Sequence, residues 1–372
     1  MDGSKRDMHV PFLDLQAQYR SIREDIDSAI AEVIRTSRFI IGSEETKFER
    51  LFADSLRIPY AVGCSCGTSA IYIALMALCM PQEAEVIVPA MTYIATAEAV
   101  SLAGARPIFV DVEADTGLID FEAMTRAVTS KTWGVIPVHL YGQMVDMPRF
   151  AAFAEEKGLR LLEDAAQAHA AEYRGQRPGS LSDAAAFSFF PGKNLGAYGD
   201  AGAIVTRDRR MAEWVRQYRN HGRLDKYKHE FVGFNFRLDG LQAAVLQAKL
   251  PHLERWTERR RAVAARYRTA FGRAGIRCLV ERPQARHVYH LFVIRHPERD
   301  RLRKALADTG IECGIHYPIP LHLQPAYKSC GQQPGSLPES EALAREVLSL
   351  PIDPELSDAQ VEYVIQQVCA HA

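Results

Sequence analysis

Long hydrophobic runs are missing from this 372-residue sequence. No stretch approaches the roughly 18 continuous apolar residues that a membrane-spanning helix needs. The opening MDGSKRDMHVPFLDLQ contains no apolar core of the kind found in signal peptides. We therefore expect a cytoplasmic protein without a membrane partner. Hydrophobic residues still make up 47% of the chain, which is enough for a large buried core.

An excess of one charge is also absent. Lys and Arg total 45 against 46 Asp and Glu, so the overall electric field gives no reason to expect nucleic acid as a partner. The seven cysteines are scattered, and only Cys64 and Cys66 are close together. Their spacing matches neither a common zinc site nor a redox pair. We expect reduced, mostly structural cysteines and no bound metal.

Short β-rich runs alternate with helical patterns between about residues 55 and 215. The strands are almost continuously apolar, which predicts an α/β fold with a parallel or mostly parallel sheet between layers of helices. The predicted strands are 60–64, 85–90, 107–112, 133–142, 159–165, 184–190 and 202–207.

A second region begins with a predicted helix over 237–250, which Pro251 should kink or restart. In the helix that follows, Glu254 and Glu258 are interleaved with the arginines at 259–261, which favours a solvated helix face. Beyond residue 275 we predict a small α+β domain with strands at 290–295 and 311–317 and a helix near 300–309. The predicted domains are 1–250 and 251–372.

The segment CGTSAIYIALMAL places Gly67, Thr68 and Ser69 between a predicted strand and a predicted helix. Free backbone amides, hydroxyl groups and the positive end of the helix dipole converge at such a position, where a phosphate can bind. An ordinary helix cap explains the same residues, since Thr and Ser are favoured there. Alone, this motif does not decide between the two interpretations.

A single lysine, Lys193, stands in the stretch FSFFPGKNLGAYGDAGA, just after an aromatic run. The spacing fits neither a dinucleotide-binding loop nor a P-loop. A lysine beside buried aromatics is partly removed from water, which lowers the pKa of its amine and makes it nucleophilic.

Several polar groups follow the predicted strands at the same sheet edge as Lys193. Asp164 ends the strand LRLLED, and Gln167, His169 and Ser188 lie at or beyond strand ends. An amine, a carboxylate and a phosphate cradle are together what pyridoxal phosphate requires. Tyr93 follows another strand, where its ring can stack on a flat cofactor or simply belong to the core.

The chain resembles the nucleotide-sugar aminotransferases of the type I aspartate aminotransferase fold, which use pyridoxal phosphate. The resemblance covers nearly the whole sequence in order and rests on CGTSA, MTYIATAE, EDAAQAHAA, FSFFPGKNLGAYGDAGA, FNFRLDGLQAAVLQAKL and HYPIPLHLQPAY. The sequence departs from the usual family pattern at Cys66, Ala170 and Ala201. Each change replaces one small residue by another, so it concerns the detailed geometry of the loops and not the chemistry. The related sugar dehydratases carry histidine in place of the lysine, so Lys193 argues against that branch.

This resemblance implies a role for each matching position that contacts the cofactor. Lys193 would form the Schiff base, Asp164 would pair with the pyridinium nitrogen, and Gln167 would contact the ring near its 3-oxygen. Tyr93 would stack on the ring, and the phosphate would be held by Gly67, Thr68 and Ser188.

A further implication is a homodimer with shared active sites, because Asn235 would reach the phosphate bound in the neighbouring subunit. On the substrate side the resemblance points to Arg237, His316, Tyr317 and His322. The two histidines can otherwise be read as a metal pair, but no further ligands match.

The implied reaction transfers an amino group from L-glutamate to a nucleotide-linked keto-(deoxy)hexose, with pyridoxamine phosphate as the carrier between two half reactions. HYPIPLHLQPAY and KYKHEFVGFNFRLD are more similar to enzymes that aminate carbon 3 of a 3-keto-6-deoxyhexose. Amination at carbon 4 and amination of a keto-inositol are alternatives. A non-catalytic regulatory homologue is a more remote one.

Overall fold

A computed structural model describes residues 8–372. Its strands are β1 (Tyr60–Cys64), β2 (Glu85–Pro89), β3 (Arg106–Val110), β4 (Thr132–Val135), β5 (Arg160–Asp164), β6 (Glu172–Tyr173), β7 (Ala184–Ser188), β8 (Gly202–Thr206), β9 (Arg277–Cys278), β10 (Ala285–Arg286), β11 (Phe292–Arg295) and β12 (Val347–Leu350).

The α-helices that the same residues form are α1 (Leu15–Ser21), α2 (Arg23–Thr36), α3 (Ser43–Leu56), α4 (Gly67–Ala77), α5 (Ala95–Leu102), α6 (Phe121–Ala127), α7 (Met147–Lys157), α8 (Arg209–Tyr218), α9 (Gly240–Lys249), α10 (Leu253–Arg273), α11 (Arg299–Asp308), α12 (Pro338–Glu346) and α13 (Asp358–His371). No helix among the described residues combines the length and apolar character needed to cross a bilayer.

The central sheet has seven strands in the order β1-β8-β7-β5-β4-β2-β3. Only β8 runs against its neighbours, and the pairs from β7 through to β3 are parallel. The predicted mostly parallel α/β sheet is therefore confirmed. Since parallel strands end at the same edge, the residues after β2, β5 and β7 are brought together there.

Aromatic side chains anchor the strand that leads to Lys193. Phe187 and Phe189 are fully buried, and both rings lie edge-on to Phe52 of α3, with centroids 5.0 and 5.1 Å away. Strand side chains alternate between the two faces of a sheet. Ser188, between the two phenylalanines, therefore faces the opposite side.

A smaller three-stranded sheet, β12-β11-β9, is antiparallel. Helices α10, α11 and α13 share a separate apolar core with this sheet, centred on residues such as Tyr267, Phe271, Phe292 and Leu302. This is the α+β arrangement expected after residue 275. The division between residues 250 and 251 stays a prediction.

Two predicted strands were wrong in part. The strand expected over 133–142 ends at Val135, because Pro137 has no amide hydrogen to continue the ladder. The segment 311–317 is not a strand, and it pairs only through isolated bridges, Ile311 with Val10 and Gly314 with Ser349. At Pro251 the chain makes a short 3₁₀ turn before α10, as expected. The seven cysteines are all unpaired.

Ala170 adopts a left-handed backbone conformation, with φ of 65°. This conformation costs a residue with a Cβ roughly 1 kcal/mol or more relative to glycine. We expect Ala170→Gly to raise the free energy of unfolding by about 0.5–1 kcal/mol.

The matched control is Ala265→Gly, at an exposed position inside α10. That change should lower the free energy of unfolding by about 1 kcal/mol. Urea unfolding of both variants measures the difference, and destabilisation by Ala170→Gly would contradict the proposed strain.

Candidate active site

A cavity of about 670 Å³ lies at the edge of the sheet where β5 and β7 end. Residues from the edge of the large sheet, from segments next to the small sheet, from α10 and from the N-terminal segment line it. They include Phe12, Leu13, Gly67, Thr68, Tyr93, Asp164, Gln167, Ser188, Lys193, Arg260, His290, His316 and Tyr317. The cavity thus unites most of the residues that the sequence predicted as a site.

Lys193 lies in the loop between β7 and β8, which closes on itself. The Lys193 amide donates to Phe190 O at 2.8 Å, and the Ala197 amide donates to Phe189 O at 2.8 Å. Burial lowers the pKa of the Lys193 amine to about 8, while the Asp164 carboxylate acts in the opposite direction. Roughly half of such amines are uncharged at pH 8, whereas an ordinary lysine is almost fully charged there.

Two side chains of α9 hold this loop in place. Lys249 is fully buried, and its Nζ donates to Gly196 O at 2.8 Å. Gln242 Oε1 accepts from the Tyr198 amide at 2.8 Å. Lys249 also lies over the Tyr198 ring, 4.2 Å from its centroid. Lys193 is therefore presented by a fixed backbone and not by a mobile loop tip.

Asp164, at the end of β5, is 5% exposed. Its carboxylate accepts hydrogen bonds from Thr96 Oγ1 at 2.7 Å and from the Ala166 amide at 3.1 Å. These donors fix the orientation of the carboxylate. Thr96 was not predicted as a site residue, although it stands within the quoted segment MTYIATAE.

Gln167 links the large sheet to the segment that carries His316 and Tyr317. Its Oε1 accepts from the Tyr141 amide at 2.6 Å, and its Nε2 donates to Tyr317 Oη at 3.2 Å. Tyr141 Oη in turn donates to the carbonyl of His316. Burial raises the pKa of both phenols, so they remain protonated donors.

The start of α4 forms a cradle of donors. Gly67 and Thr68 are its first two residues, and their amides donate to no described residue. A Cβ on Gly67 would lie 2.7 Å from the Cβ of Ser188, so only glycine lets β7 approach the helix end this closely. The cap itself is Cys66, whose amide donates to Ser69 Oγ at 3.0 Å. Ser69 is thereby committed to the cap.

Tyr93 stands at the mouth of the cavity. Its side chain is 58% exposed, and its ring is tilted against that of Tyr317 with centroids 5.9 Å apart. Of the two interpretations of the sequence, a tyrosine inside the core is therefore wrong. An exposed aromatic face remains available for stacking.

Two histidines face the same cavity as Lys193. Burial and the Lys193 charge lower the pKa of His316 to about 4, and the same causes hold the pKa of His290 well below its usual range. His316 Nδ1 lies 2.9 Å from Ser349 Oγ, and His290 Nδ1 lies 3.2 Å from Asn194 Oδ1. Both imidazoles are neutral at pH 7. His290 was not predicted, because nothing in HLFVIR distinguishes it from a strand residue.

Four residues that the sequence singled out do not line the cavity of their own chain. Asn235 is exposed and forms a bridge with Asn220, to which Arg237 also donates at 3.3 Å. His322 is buried, with its Nε2 3.2 Å from Glu341 Oε1. His169 is buried against Phe187 and does not line the cavity either.

Comparison with known proteins places this site in a family. Residues 20–369 match the model of the DegT/DnrJ/EryC1/StrS aminotransferase family. The chain belongs to that family. The predicted resemblance to sugar aminotransferases, and the predicted enzyme class, are thereby confirmed.

Two relatives show how similar this aminotransferase is to characterised members of the family. A dTDP-3-amino-3,4,6-trideoxy-alpha-D-glucose transaminase of Streptomyces venezuelae is 47% identical, with 96% of this chain and 95% of the relative covered. A pleiotropic regulatory protein of Geobacillus stearothermophilus is also 47% identical, with 97% and 98% covered.

Solved structures agree with the fold. S. venezuelae DesV, in complex with a ketimine intermediate, has a TM-score of 0.96 and 46% identity over 97% of this chain and 98% of that one. NtdA from Bacillus subtilis, with bound cofactor PMP, has a TM-score of 0.90 and 32% identity over 98% and 86%. The predicted fold of the pyridoxal-phosphate aminotransferases is therefore confirmed.

We expect Lys193 to react with an amine-acylating reagent at far lower pH than a surface lysine. Peptide mass spectrometry of the protein freed of small molecules should give an inflection near pH 8 for Lys193. Exposed Lys47 is the internal control for a solvent-accessible amine.

The same measurement also tests the effect of the Asp164 carboxylate on the Lys193 pKa. Since the carboxylate raises the Lys193 pKa, Asp164→Asn should move the inflection below that of the unmodified protein. An inflection at the Lys47 value in the unmodified protein would contradict the desolvation of Lys193.

Proposed function

We propose that this chain is a pyridoxal-phosphate aminotransferase that moves an amino group from L-glutamate to carbon 3 of a nucleotide-linked keto-(deoxy)hexose. The observation that carries the proposal is the single cavity that holds Lys193, Asp164 and the donors of α4. A nucleophilic amine, a carboxylate and an anion cradle are the three groups that this cofactor needs. NtdA, a relative with bound PMP, supports the same cofactor.

The residues present fit pyridoxal phosphate. The unpaired amides of Gly67 and Thr68 and the hydroxyl of Ser188 are suited to a phosphate, and a side chain on Gly67 would fill the cradle. Asp164 is oriented to accept from a pyridinium N–H, and Tyr93 offers a ring for stacking. When bound, the cofactor supplies an electron sink for the negative charge that develops on the donor carbon.

Lys193 is the residue that moves the proton. With its pKa lowered to about 8, Nζ is able to take a proton from the α-carbon of the amino-acid donor as a general base and to return one as a general acid. His290 and His316 are neutral, so neither adds a positive charge that would repel the proton when Nζ accepts it. The hydrogen bond from Gln167 to Tyr317 joins the sheet edge to the segment that carries His316.

The reaction then runs in two halves with the same residues. Glutamate leaves as 2-oxoglutarate before the keto sugar binds, so kinetics of the ping-pong type are expected. The S. venezuelae relative named as a transaminase of a dTDP-linked 3-amino sugar supports both a sugar substrate and carbon 3. Carbon 4 and a keto-inositol remain the alternative acceptors.

One relative favours a second candidate function. The G. stearothermophilus protein is named as regulatory, which matches the remote alternative of a homologue without turnover. The geometry favours catalysis, because a binding protein has no need of a desolvated lysine facing a buried carboxylate.

We also propose a homodimer in which each chain completes the site of the other. Large apolar side chains are exposed in two segments near Asn235, including Phe39, Ile41, Tyr227 and Val232 at 43, 46, 82 and 91%. Clusters of this kind are typical of protein interfaces. Asn235 and Arg237, which lie outside their own cavity, would then serve the partner's phosphate and sugar.

The substrate is tested with glutamate and a panel of 3-keto and 4-keto nucleotide sugars, with the aminated carbon located by NMR. We expect an amino group at carbon 3 and one 2-oxoglutarate per amino sugar. A Lys193→Ala variant should lose at least about 10³-fold in rate, since it lacks both the nucleophile and the proton carrier.

Amination only at carbon 4 would overturn the choice of carbon while leaving the enzyme class intact. Turnover of a keto-inositol without any nucleotide would overturn the substrate class. No turnover of any ketone would favour the regulatory alternative.

Shared sites are tested by mixing inactive protomers. In a hybrid of Lys193→Ala and Asn235→Ala chains, one site carries both defects and the other carries none. Random subunit exchange should therefore restore about a quarter of the unmodified activity, because half of the dimers are hybrids with one intact site. If Asn235 served its own chain, the mixture would stay as inactive as its two components.

A further inference from the structure

Arg260 is the buried cation at the inner wall of the cavity. The sequence predicted a solvated helix face for the arginines at 259–261, and for Arg260 this was wrong, because it is only 5% exposed. It projects from α10 into the wall of the same cavity that holds Lys193. Its neighbours on the helix are half-buried and paired with carboxylates of other segments, Arg259 with Asp358 and Arg261 with Glu281.

Only one nitrogen of the Arg260 guanidinium donates hydrogen bonds to the described residues. Its Nη1 donates to Tyr289 O at 3.3 Å and to Ile352 O at 3.0 Å. Nε has no acceptor, and Nη2 donates to no side chain or carbonyl among residues 8–372. Nε is also closed off from solvent, so Nη2 is the donor that the cavity can reach, and a carboxylate oxygen is a strong acceptor for it.

No described carboxylate neutralises this cation by direct contact. Among residues 8–372, Arg260 forms no ion pair within 4 Å, and Asp353 is the acidic group whose charge affects it. The Asp353 oxygens are already occupied by the Asp14 amide at 3.2 Å and the Glu355 amide at 2.8 Å. A buried charge without a paired counterion is unfavourable, so a binding partner from outside the chain would be stabilising.

The surroundings restrict the partner to a small anion. Leu13, Leu291 and Ile352 line the cavity beside Arg260 and leave little water to compete for the charge. The neutral His290 is near enough for the Arg260 charge to affect it. The phosphate cradle lies at the separate wall formed by α4, and only a small part of Arg260 reaches the cavity.

We infer that Arg260 binds a carboxylate of the amino-acid donor through its free Nη2. This inference rests on the proposed function. It means that the inner wall of the cavity is where the dicarboxylic amino acid binds. The sugar nucleotide binds at the open side, toward Tyr93. Arg260 therefore contributes to donor selection and not to sugar selection.

The test measures binding of α-methyl-L-glutamate, which lacks the α-proton and cannot be transaminated. Isothermal titration of the holoenzyme should show that Arg260→Met weakens this binding roughly 10- to 100-fold, as expected for loss of a hydrogen-bonded charge. Arg260→Lys should lie between the two. Binding of the sugar nucleotide product should be unchanged in both variants.

Arg259→Met is the matched control on the same helix, and it should bind α-methyl-L-glutamate as tightly as the unmodified protein. Steady-state kinetics should agree, with a raised KM for glutamate and an unchanged KM for the keto sugar. If Arg260→Met fails to fold, a crystal structure of the unmodified enzyme with α-methyl-L-glutamate decides the matter. A carboxylate oxygen within hydrogen-bond distance of Nη2 is then expected.

Unchanged α-methyl-L-glutamate binding by Arg260→Met, or a ligand carboxylate placed away from Arg260, would overturn the inference. Weakened sugar binding with unchanged donor binding would overturn it as well. Either result can occur in an enzyme that still transfers amino groups, so it is distinguishable from failure of the proposed function, in which the unmodified protein transfers none.

Discussion

Removal of the Lys193 amine from water is the constraint on which the rest of the site depends. An exposed lysine is protonated near neutral pH and is neither a nucleophile nor a base. Burial in the wall of the cavity lowers its pKa to about 8. The unfavourable free energy of burying the amine is offset by the packing around it. The aromatic pair Phe187 and Phe189 locks the strand before the loop, and Lys249 and Gln242 lock the loop itself.

The opposite requirement applies to Asp164, which must remain a hydrogen-bond acceptor inside the same cavity. Thr96 and the Ala166 amide supply two donors that solvent can no longer provide. Lys193 thus loses the water that stabilises its charge, whereas Asp164 has that water replaced by protein groups. One cavity thereby holds an amine that can lose its proton and a carboxylate whose orientation is fixed by protein donors.

Much of this was predictable from the sequence because it rests on local patterns. Apolar runs placed β1, β2, β3, β5, β7 and β8 within about two residues of their observed bounds, and the rule that parallel strands end at one edge united Asp164, Gln167 and Ser188 with Lys193. The strand expected near 133–142 was cut short by Pro137, a local signal that the apolar pattern outweighed.

Other parts depend on contacts that no local pattern encodes. The site is completed by Thr96, His290 and Arg260, which reach it only because α5, the small sheet and α10 fold around it. In the sequence, Arg260 is indistinguishable from Arg259 and Arg261. The segment 311–317 has the composition of a strand but finds no continuous partner, so it carries His316 and Tyr317 to the cavity as an irregular chain. Asn235 and Arg237 lie beyond the cavity of one chain, where a second chain would decide their role.

The central claim is that the Lys193 amine forms the covalent link to the cofactor. The most direct measurement is borohydride reduction of the purified holoenzyme, followed by digestion and peptide mass spectrometry. The account predicts a reduced pyridoxyl phosphate group on the peptide that contains Lys193 and on no other. A modified peptide from elsewhere in the chain, or no modified peptide from protein that transfers amino groups, would contradict it.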